Sequence, residues 1–241
     1  MRKILWNIKL LKMELSELEL FSTKENFKTK IDKIWEDSKD SEVIKLGYAV
    51  QDELIKKSLL FIGINPSYSE DKNSTETFDP FYKPPQQGLV HRYFKKFQDI
   101  SEKVNVKWAH IDLLFLRETD QKNVEKIINE HPDFVYKQLM ISKEIIENVQ
   151  PKIIVVNNSL ARRLLGFDKS EINGKWINEW INLDFEFDND LGTHRIINNE
   201  ELRNPPIFFT SMLTGQRALD NGSYERLVWH IKFVLGKLDK R

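Results

Sequence analysis

The sequence predicts an α/β protein with three layers, α/β/α, in which helices cover both faces of a central, mostly parallel sheet of four to five strands. Four short apolar runs are continuous rather than alternating, which is typical of strands buried on both faces. Helical patterns lie between these runs, and this alternation favours a doubly wound sheet. A length of 241 residues suffices for one such domain with a full core.

The N-terminal residues 1–57 are charge-rich, and we expect them to form a helical extension that covers the domain that follows. Apolar residues recur at helical spacing between residues 5 and 11, which predicts an amphipathic helix rather than a signal peptide. Ser22 and Glu25 form a capping-box pattern, which predicts the start of another helix. Residues 58–241 are the predicted α/β/α domain.

The elements of this domain are predicted in order along the chain. Strands are predicted at the apolar runs 59–62, 109–116, 153–156 and 207–209. Helices are predicted over residues 90–100, 134–149, 159–165 and 224–238, each from its apolar face. Residues 183–197 contain a turn-rich centre that predicts an added hairpin, and residues 69–88 form a long loop, a feature that is usually functional or mobile.

The amino-acid composition excludes several kinds of functional site and binding partner. The chain has no cysteine, which excludes disulfides, thiolate zinc sites and cysteine nucleophiles and fits a reducing, cytoplasmic location. No stretch approaches the roughly 18 uninterrupted apolar residues of a membrane span, so we expect no membrane partner. The formal net charge of +0 lowers the expectation of a tight, nonspecific coat on DNA and is compatible with a local basic face. We expect a monomer.

The first candidate site follows the first apolar run, because ligands of doubly wound sheets bind outside the carboxyl ends of the strands. It is the segment Gly63-Ile64-Asn65-Pro66-Ser67. Gly63 permits a sharp turn or a close approach of a ligand, and Asn65 offers one amide acceptor and two donors that can hold a water molecule or a base edge. A simple turn that links the strand to the loop is the alternative.

The second candidate site follows the last apolar run. Ser211 and Thr214 offer hydroxyl groups, Gly215 exposes backbone N–H groups, and Arg217 offers a guanidinium fork. Such a cluster at the end of a strand predicts a phosphate-binding loop. The alternative is a helix-capping loop, because a helix is predicted soon afterwards.

The third candidate is Asp112, an acid within an apolar run. Burial of an unpaired charge is costly, so we expect this carboxyl to have a shifted pKa, to point into a pocket or to find a partner. An ion pair with Arg117 and a solvent-exposed strand end are the alternatives. His110 is expected to be a core histidine as readily as a site residue.

Together these segments resemble the uracil-DNA glycosylase superfamily, and most closely its mismatch-specific uracil/thymine branch. That branch carries G-I-N-P-G after its first strand, where this chain has GINPS. The loop FDPFYKPPQQ, the helix opening HRYFKKF and the order VQPK, IIVV and SLAR are also similar to the family pattern. Met212-Leu213-Thr214-Gly215 stands in the place of the second motif, N-P-S-G or H-P-S-P. The resemblance spans residues 58–238.

The resemblance implies an enzyme that hydrolyses the N-glycosidic bond of a base flipped out of DNA, without metal or cofactor. In this pattern Asn65 is the residue that positions the attacking water. The implied base-binding residues, including the aromatic stacking platform at Phe81 or Tyr82, are Gly63, Ile64, Phe81, Tyr82 and Asp112. The implied contacts to DNA phosphates are Ser67, Ser211, Thr214, Gly215 and Arg217.

Two departures from the family pattern bear on the substrate. Met212 replaces the Asn or His of the second motif, so that side chain cannot stabilise a departing base. Asp112 stands where several branches use Asn; an ionised Asp accepts hydrogen bonds without donating, which disfavours uracil O4 and suits an amino-bearing base unless the acid is protonated. A catalytically lapsed DNA- or nucleotide-binding module of the same fold and an unrelated enzyme acting on free nucleosides are the alternatives.

Overall fold

The structure is a computed structural model, and it describes residues 19–39, 41–68, 76–77, 91–168, 171–172, 174–176, 180–215 and 218–240. Within these ranges the helices are α1 (Thr23–Asp37), α2 (Lys95–Val104), α3 (Gln121–Glu130), α4 (Pro132–Val149), α5 (Ser159–Leu164) and α6 (Asn221–Leu238), with a 3-10 turn at Glu42–Ile44. The strands are β1 (Leu20–Ser22), β2 (Tyr48–Ala49), β3 (Glu53–Ile55), β4 (Leu59–Gly63), β5 (Glu76–Thr77), β6 (Trp108–Asp112), β7 (Ile153–Val156), β8 (Glu171–Ile172), β9 (Lys175–Trp176), β10 (Phe185–Asp188), β11 (Thr193–Ile196) and β12 (Pro206–Phe209).

The central sheet of the described residues has six strands in the order β10-β11-β12-β7-β4-β6. Strands β12, β7, β4 and β6 are parallel, whereas β10 and β11 are antiparallel. The mostly parallel α/β class is therefore confirmed. The sheet exceeds the predicted four to five strands because the hairpin β10–β11 extends it: His194 and Arg195 pair with Ile207 and Pro206 of β12.

Helices cover both faces of this sheet and give the predicted three layers. In β4, Leu60 and Ile62 join one apolar core, while Leu59 and Phe61 join the other. This division follows from strand geometry, because successive side chains point to opposite faces. The first core also holds side chains of α1, α3, α4 and α5, and the second holds those of α2 and α6. The continuous apolar runs are thus buried on both faces.

The described part of the N-terminal extension contains one helix and three short strands. The predicted cap is present, since Ser22 Oγ accepts a hydrogen bond of 3.1 Å from the Glu25 backbone N–H. Strand β1 pairs antiparallel with β3, so these segments satisfy their backbone groups in a ladder rather than in helices. Phe27 and Ile31 of α1 belong to the first core. The amphipathic helix predicted at the start of the chain lies outside the described residues.

None of the helices in the described ranges combines the length and the apolar character that crossing a bilayer requires.

Two loops at the carboxyl edge of the sheet are joined by their backbones. After β4 and β6 the chains run side by side, and the N–H groups of Leu113 and Leu114 donate to the carbonyl oxygens of Gly63 and Ile64 at 3.2 and 2.8 Å. Further along, the Glu118 N–H donates to the Pro66 carbonyl at 3.0 Å. These bonds fix the GINPS segment against the loop that follows β6.

The apolar run 109–116 is longer than the strand it predicts, because β6 ends at Asp112. Residues 113–116 are buried loop, and a buried loop needs partners for its backbone groups. Gln138 of α4 supplies them: its Oε1 accepts from the N–H groups of Phe115 and Leu116 at 2.7 and 3.1 Å. Ser142, one turn further along α4, donates its hydroxyl to the Leu113 carbonyl at 2.8 Å.

Candidate functional site

A cavity of about 490 Å³ opens at the carboxyl edge of the parallel strands. The loops after β4, β6, β7 and β12 contribute to its wall, as does the segment that leads into α2. Its volume falls in the range of about 300–1,000 Å³ that is common for small-molecule sites. Segments far apart in the chain therefore meet at one concave place, where open α/β sheets bind ligands.

The residues predicted as site residues divide into three groups. Those that line the cavity are Gly63, Ile64, Asn65, Ser67, Asp112 and Thr214. Ser211 and Gly215 are exposed and lie outside the lining. Phe81, Tyr82 and Arg217 lie outside the described residues.

The Asn65 side chain connects the two loops that meet at the sheet edge. Its Nδ2 donates to the carbonyl oxygens of Glu118 at 2.7 Å, Pro66 at 3.0 Å and Leu116 at 3.4 Å. Because backbone carbonyls occupy the amide donors, the Asn65 Oδ1 is the polar atom left for a ligand or a water molecule. It accepts no hydrogen bond from another residue in the described part of the chain.

Asp112 lies at the end of β6, directly beside Gly63 of β4 in the parallel register. A Cβ atom at position 63 would lie only 2.2 Å from the Asp112 Oδ1. A side chain at position 63 would therefore have to displace the Asp112 carboxyl, so the reason for the glycine is this close approach rather than a turn. The Asp112 side chain is 11% exposed and lines the cavity.

Burial sets the protonation of both ionisable residues of β6. It raises the pKa of Asp112 to about 7 and lowers the pKa of His110 to about 3. The His110 Nε2 and the Asp112 Oδ1 are 3.7 Å apart, too far for a good hydrogen bond, and the imidazole is neutral at pH values near 7. This contact is therefore not an ion pair near neutral pH. The His110 ring stacks on Phe97 of the second core, with ring centroids 5.4 Å apart and ring planes inclined by 26°.

Asn157 is a lining residue that the sequence interpretation missed. It directly follows β7, and its side chain is buried at 4% exposure with no hydrogen-bond partner for Oδ1. A buried oxygen without a partner is uncommon and leaves an acceptor for a ligand or water. The available signal was its position: it follows an apolar run, as Asn65 does. The next residue, Asn158, instead caps α5 by accepting from the Leu160 and Ala161 N–H groups.

Tyr93 contributes a hydroxyl group to the same wall. Burial, and secondarily the charge of Asp112, raise the pKa of the Tyr93 phenol, whereas a hydrogen bond from Asn157 opposes the shift. The phenol therefore stays protonated at physiological pH and keeps an O–H to donate. Its place in the helix-opening pattern HRYFKKF was noted in the sequence, but that pattern did not identify it as a site residue.

The loop after β12 closes another side of the cavity through Met212, Leu213 and Thr214. Leu213 is buried in the second core and anchors the loop. The Leu219 N–H donates to the Met212 carbonyl at 2.9 Å, and Gly215 has a left-handed φ of 91°, which favours glycine. The Met212 thioether is a weak acceptor and no donor, so this side of the wall contributes mainly apolar surface and the Thr214 hydroxyl.

No cluster of three or more His, Asp or Glu side chains that could hold a metal ion occurs among residues that the structure describes. The lining offers hydrogen-bonding groups together with the ionisable side chains of His91, Asp112 and Glu118. A scan against models of known protein families finds no match to this chain, and a search of curated protein sequences finds none.

Proposed function

We propose that the protein is a DNA N-glycosylase, a hydrolase that cleaves the N-glycosidic bond of a uracil or modified base flipped into the cavity. One observation carries the proposal: the Asn65 amide, the Asp112 carboxyl and residues 212–214 line one cavity of about 490 Å³. These are the segments on which the resemblance to the uracil-DNA glycosylase superfamily depends. A cavity of this size accepts a base extruded from the stack.

In this proposal Asn65 holds the water that attacks the sugar. Its N–H groups are engaged by backbone carbonyls, so its Oδ1 accepts a hydrogen bond from the water. The water oxygen bonds to C1′ while the C1′–N bond breaks, the bonding electrons leave with the base, and the water proton passes to solvent. The transition state resembles an oxocarbenium ion, so positioning and electrostatics accelerate the reaction without a strong base.

The remaining lining residues divide between the base and the backbone of DNA. The Tyr93 hydroxyl donates to the charge that develops on the departing base, and Asp112 contacts its polar edge. Phe81 or Tyr82 stacks on the base, and Ser67, Ser211, Thr214, Gly215 and Arg217 contact flanking phosphates. The protein acts as a monomer on DNA in the cytoplasm.

The direct test is release of bases from oligonucleotides. Single and double strands that contain uracil, hypoxanthine or modified cytosines are incubated with the protein, and abasic sites are detected by alkali cleavage. We expect release from at least one substrate and a loss of about 100-fold in Asn65→Ala, because a misplaced water reacts slowly. The matched control is Asn189→Ala in the exposed turn between β10 and β11, which should retain full activity. The proposal fails if no substrate yields abasic sites or if Asn65→Ala equals the parent.

A second candidate function is a DNA- or nucleotide-binding module without catalysis. Met212 favours it, because a thioether in the cavity wall cannot donate a hydrogen bond to a departing base. Binding to DNA that weakens as salt concentration rises, with no abasic sites on any substrate, would identify this candidate.

A further inference from the structure

Three neighbouring parallel strands each contribute one amide or carboxyl side chain to the cavity. Asn65 follows β4, Asp112 ends β6 and Asn157 follows β7, and all three line the cavity. Since β6, β4 and β7 are adjacent in the sheet, the three side chains lie along one stretch of its carboxyl edge.

The oxygen atoms of these side chains are the hydrogen-bonding groups that remain unused. The Asn65 amide N–H groups donate to backbone carbonyls, and the Asn157 Oδ1 is buried without a partner. Over the ranges that the structure describes, the Asp112 carboxyl accepts no hydrogen bond. This stretch of the wall therefore offers acceptors to a ligand.

Hydrogen-bond acceptors in the cavity wall can distinguish bases that differ in the exocyclic group at one ring position. Cytosine and adenine carry an amino group where uracil and hypoxanthine carry an oxo group. An amino group donates to a carboxylate, whereas an oxo oxygen placed there faces a second acceptor and is repelled. A buried polar group left unpaired by the wrong ligand is costly, which makes this kind of discrimination strong.

Resting on the proposed function, we infer that Asp112 and Asn157 form an edge reader that selects an amino-bearing base, of the cytosine or adenine type, over its oxo counterpart. Asp112 accepts one N–H of the exocyclic amino group, and the Asn157 Oδ1 accepts the other N–H of the same amino group, which an oxo base lacks. Gly63 makes the arrangement possible, because any side chain there would displace the carboxyl.

The selectivity depends on the ionisation of Asp112. The pKa of this carboxyl is about 7, so the group is acceptor-only above that value, whereas below it the neutral acid can donate to an oxo group. The groups that face it do not titrate in this range: Tyr93 and His110 stay neutral, and Gly63 and Asn157 have no ionisable group. His91 and Glu118 also line the cavity, so variants at Asp112 are needed to assign any pH effect.

The experiment compares matched pairs of oligonucleotides that carry cytosine or uracil, and adenine or hypoxanthine, at one unpaired position. Each test nucleotide is the 2′-fluoroarabino form, in which the electron-withdrawing fluorine slows cleavage, so that binding is measured rather than release. At about pH 8.5 we expect the amino member of each pair to bind at least about tenfold more tightly, equivalent to about 1.4 kcal/mol. The ratio should fall towards one at about pH 6.

Variants assign the effect to the reader. Asp112→Asn has nearly the same shape and adds a donor, so it should abolish the amino preference and its pH dependence. Asn157→Ala should reduce the preference, and the exposed-turn control Asn189→Ala should leave it unchanged. Tighter binding of the oxo members by the parent protein, or equal binding of both members, overturns the inference and leaves the proposed function standing. If none of the oligonucleotides binds, the proposed function fails and the inference fails with it.

Discussion

Replacement of Asp112 by Asn should change how folding stability depends on pH. The carboxyl is almost fully buried, and its pKa is about 7 in the folded protein against an ordinary value of 3.8. Between these values the unfolded chain has released the proton while the folded chain keeps it. The contribution of this carboxyl to the free energy of unfolding therefore falls as pH rises through this window and levels off above it.

The magnitude follows from the size of the shift. About three pKa units correspond to about 4 kcal/mol, an order-of-magnitude value for a group with little solvent screening. Asp112→Asn cannot ionise and lacks this contribution. The difference in unfolding free energy between the variant and the parent should thus move by about 4 kcal/mol in favour of the variant from about pH 4 to about pH 8. His110, with its pKa lowered by burial, is present in both proteins and cancels from the difference.

The assay is urea denaturation of both proteins at about pH 4, 6 and 8, followed by tryptophan fluorescence. A comparison between variants removes the contributions of the other titrating groups, which are common to both chains. Asp184→Asn, which removes an exposed carboxyl group, is the matched control and should leave the pH profile of the parent unchanged. Parallel pH profiles for the parent and Asp112→Asn would refute the reasoning, because they would mean that the carboxyl ionises equally easily in both states.

Three further substitutions test how the wall of the cavity is supported. Gln138→Leu should lower the free energy of unfolding by about 2 kcal/mol or more, because two buried N–H groups lose their acceptor. A loss well below about 1 kcal/mol in denaturant titration would contradict this. Gly63→Ala should lower the free energy of unfolding by about 1–3 kcal/mol, because the added methyl group crowds the Asp112 carboxyl. The loss should be smaller in a protein that also carries Asp112→Ala. A double-mutant cycle that shows no coupling between the two positions would mean that the carboxyl is not the obstacle. Asn65→Asp should be less stable than Asn65→Ala at about pH 7, because a carboxylate would face the carbonyl oxygens that now accept from the Asn65 amide. A higher melting temperature for Asn65→Asp than for Asn65→Ala would disprove the assigned orientation of the amide.

The amino-acid pattern was sufficient to predict the parallel core of the sheet and the place of the candidate site. The runs at 59–62, 153–156 and 207–209 correspond to strands of the central sheet, because an apolar run that is continuous has to be buried on both faces. The rule that ligands bind at the carboxyl ends of such strands then pointed to Asn65, and the cost of burying an unpaired charge pointed to Asp112. The helix α3 was not predicted from the sequence; only Val124 and Ile128 of its ten residues are buried.

Other features depended on contacts between distant segments. No local pattern shows that Asn65 directs its amide donors to carbonyls more than fifty residues away. Likewise, Gly63 looks like a turn residue until its neighbour across the sheet proves to be Asp112. Strand register is set by tertiary packing, so the reason for the glycine could not be read from the chain alone.

Sequence by itself determined the layered α/β architecture and which strand ends carry polar side chains, since both follow from periodicity within a short stretch of chain. Only the tertiary structure shows that Asn157 lines the same cavity as Asn65 and Asp112, and that the hairpin β10–β11 extends the sheet. It also decided the protonation of Asp112, because the desolvation that raises the pKa is a property of everything packed around the carboxyl. The sequence gives the type of each side chain, whereas its burial, its hydrogen-bonding partners and its protonation state depend on the residues packed around it in the folded protein.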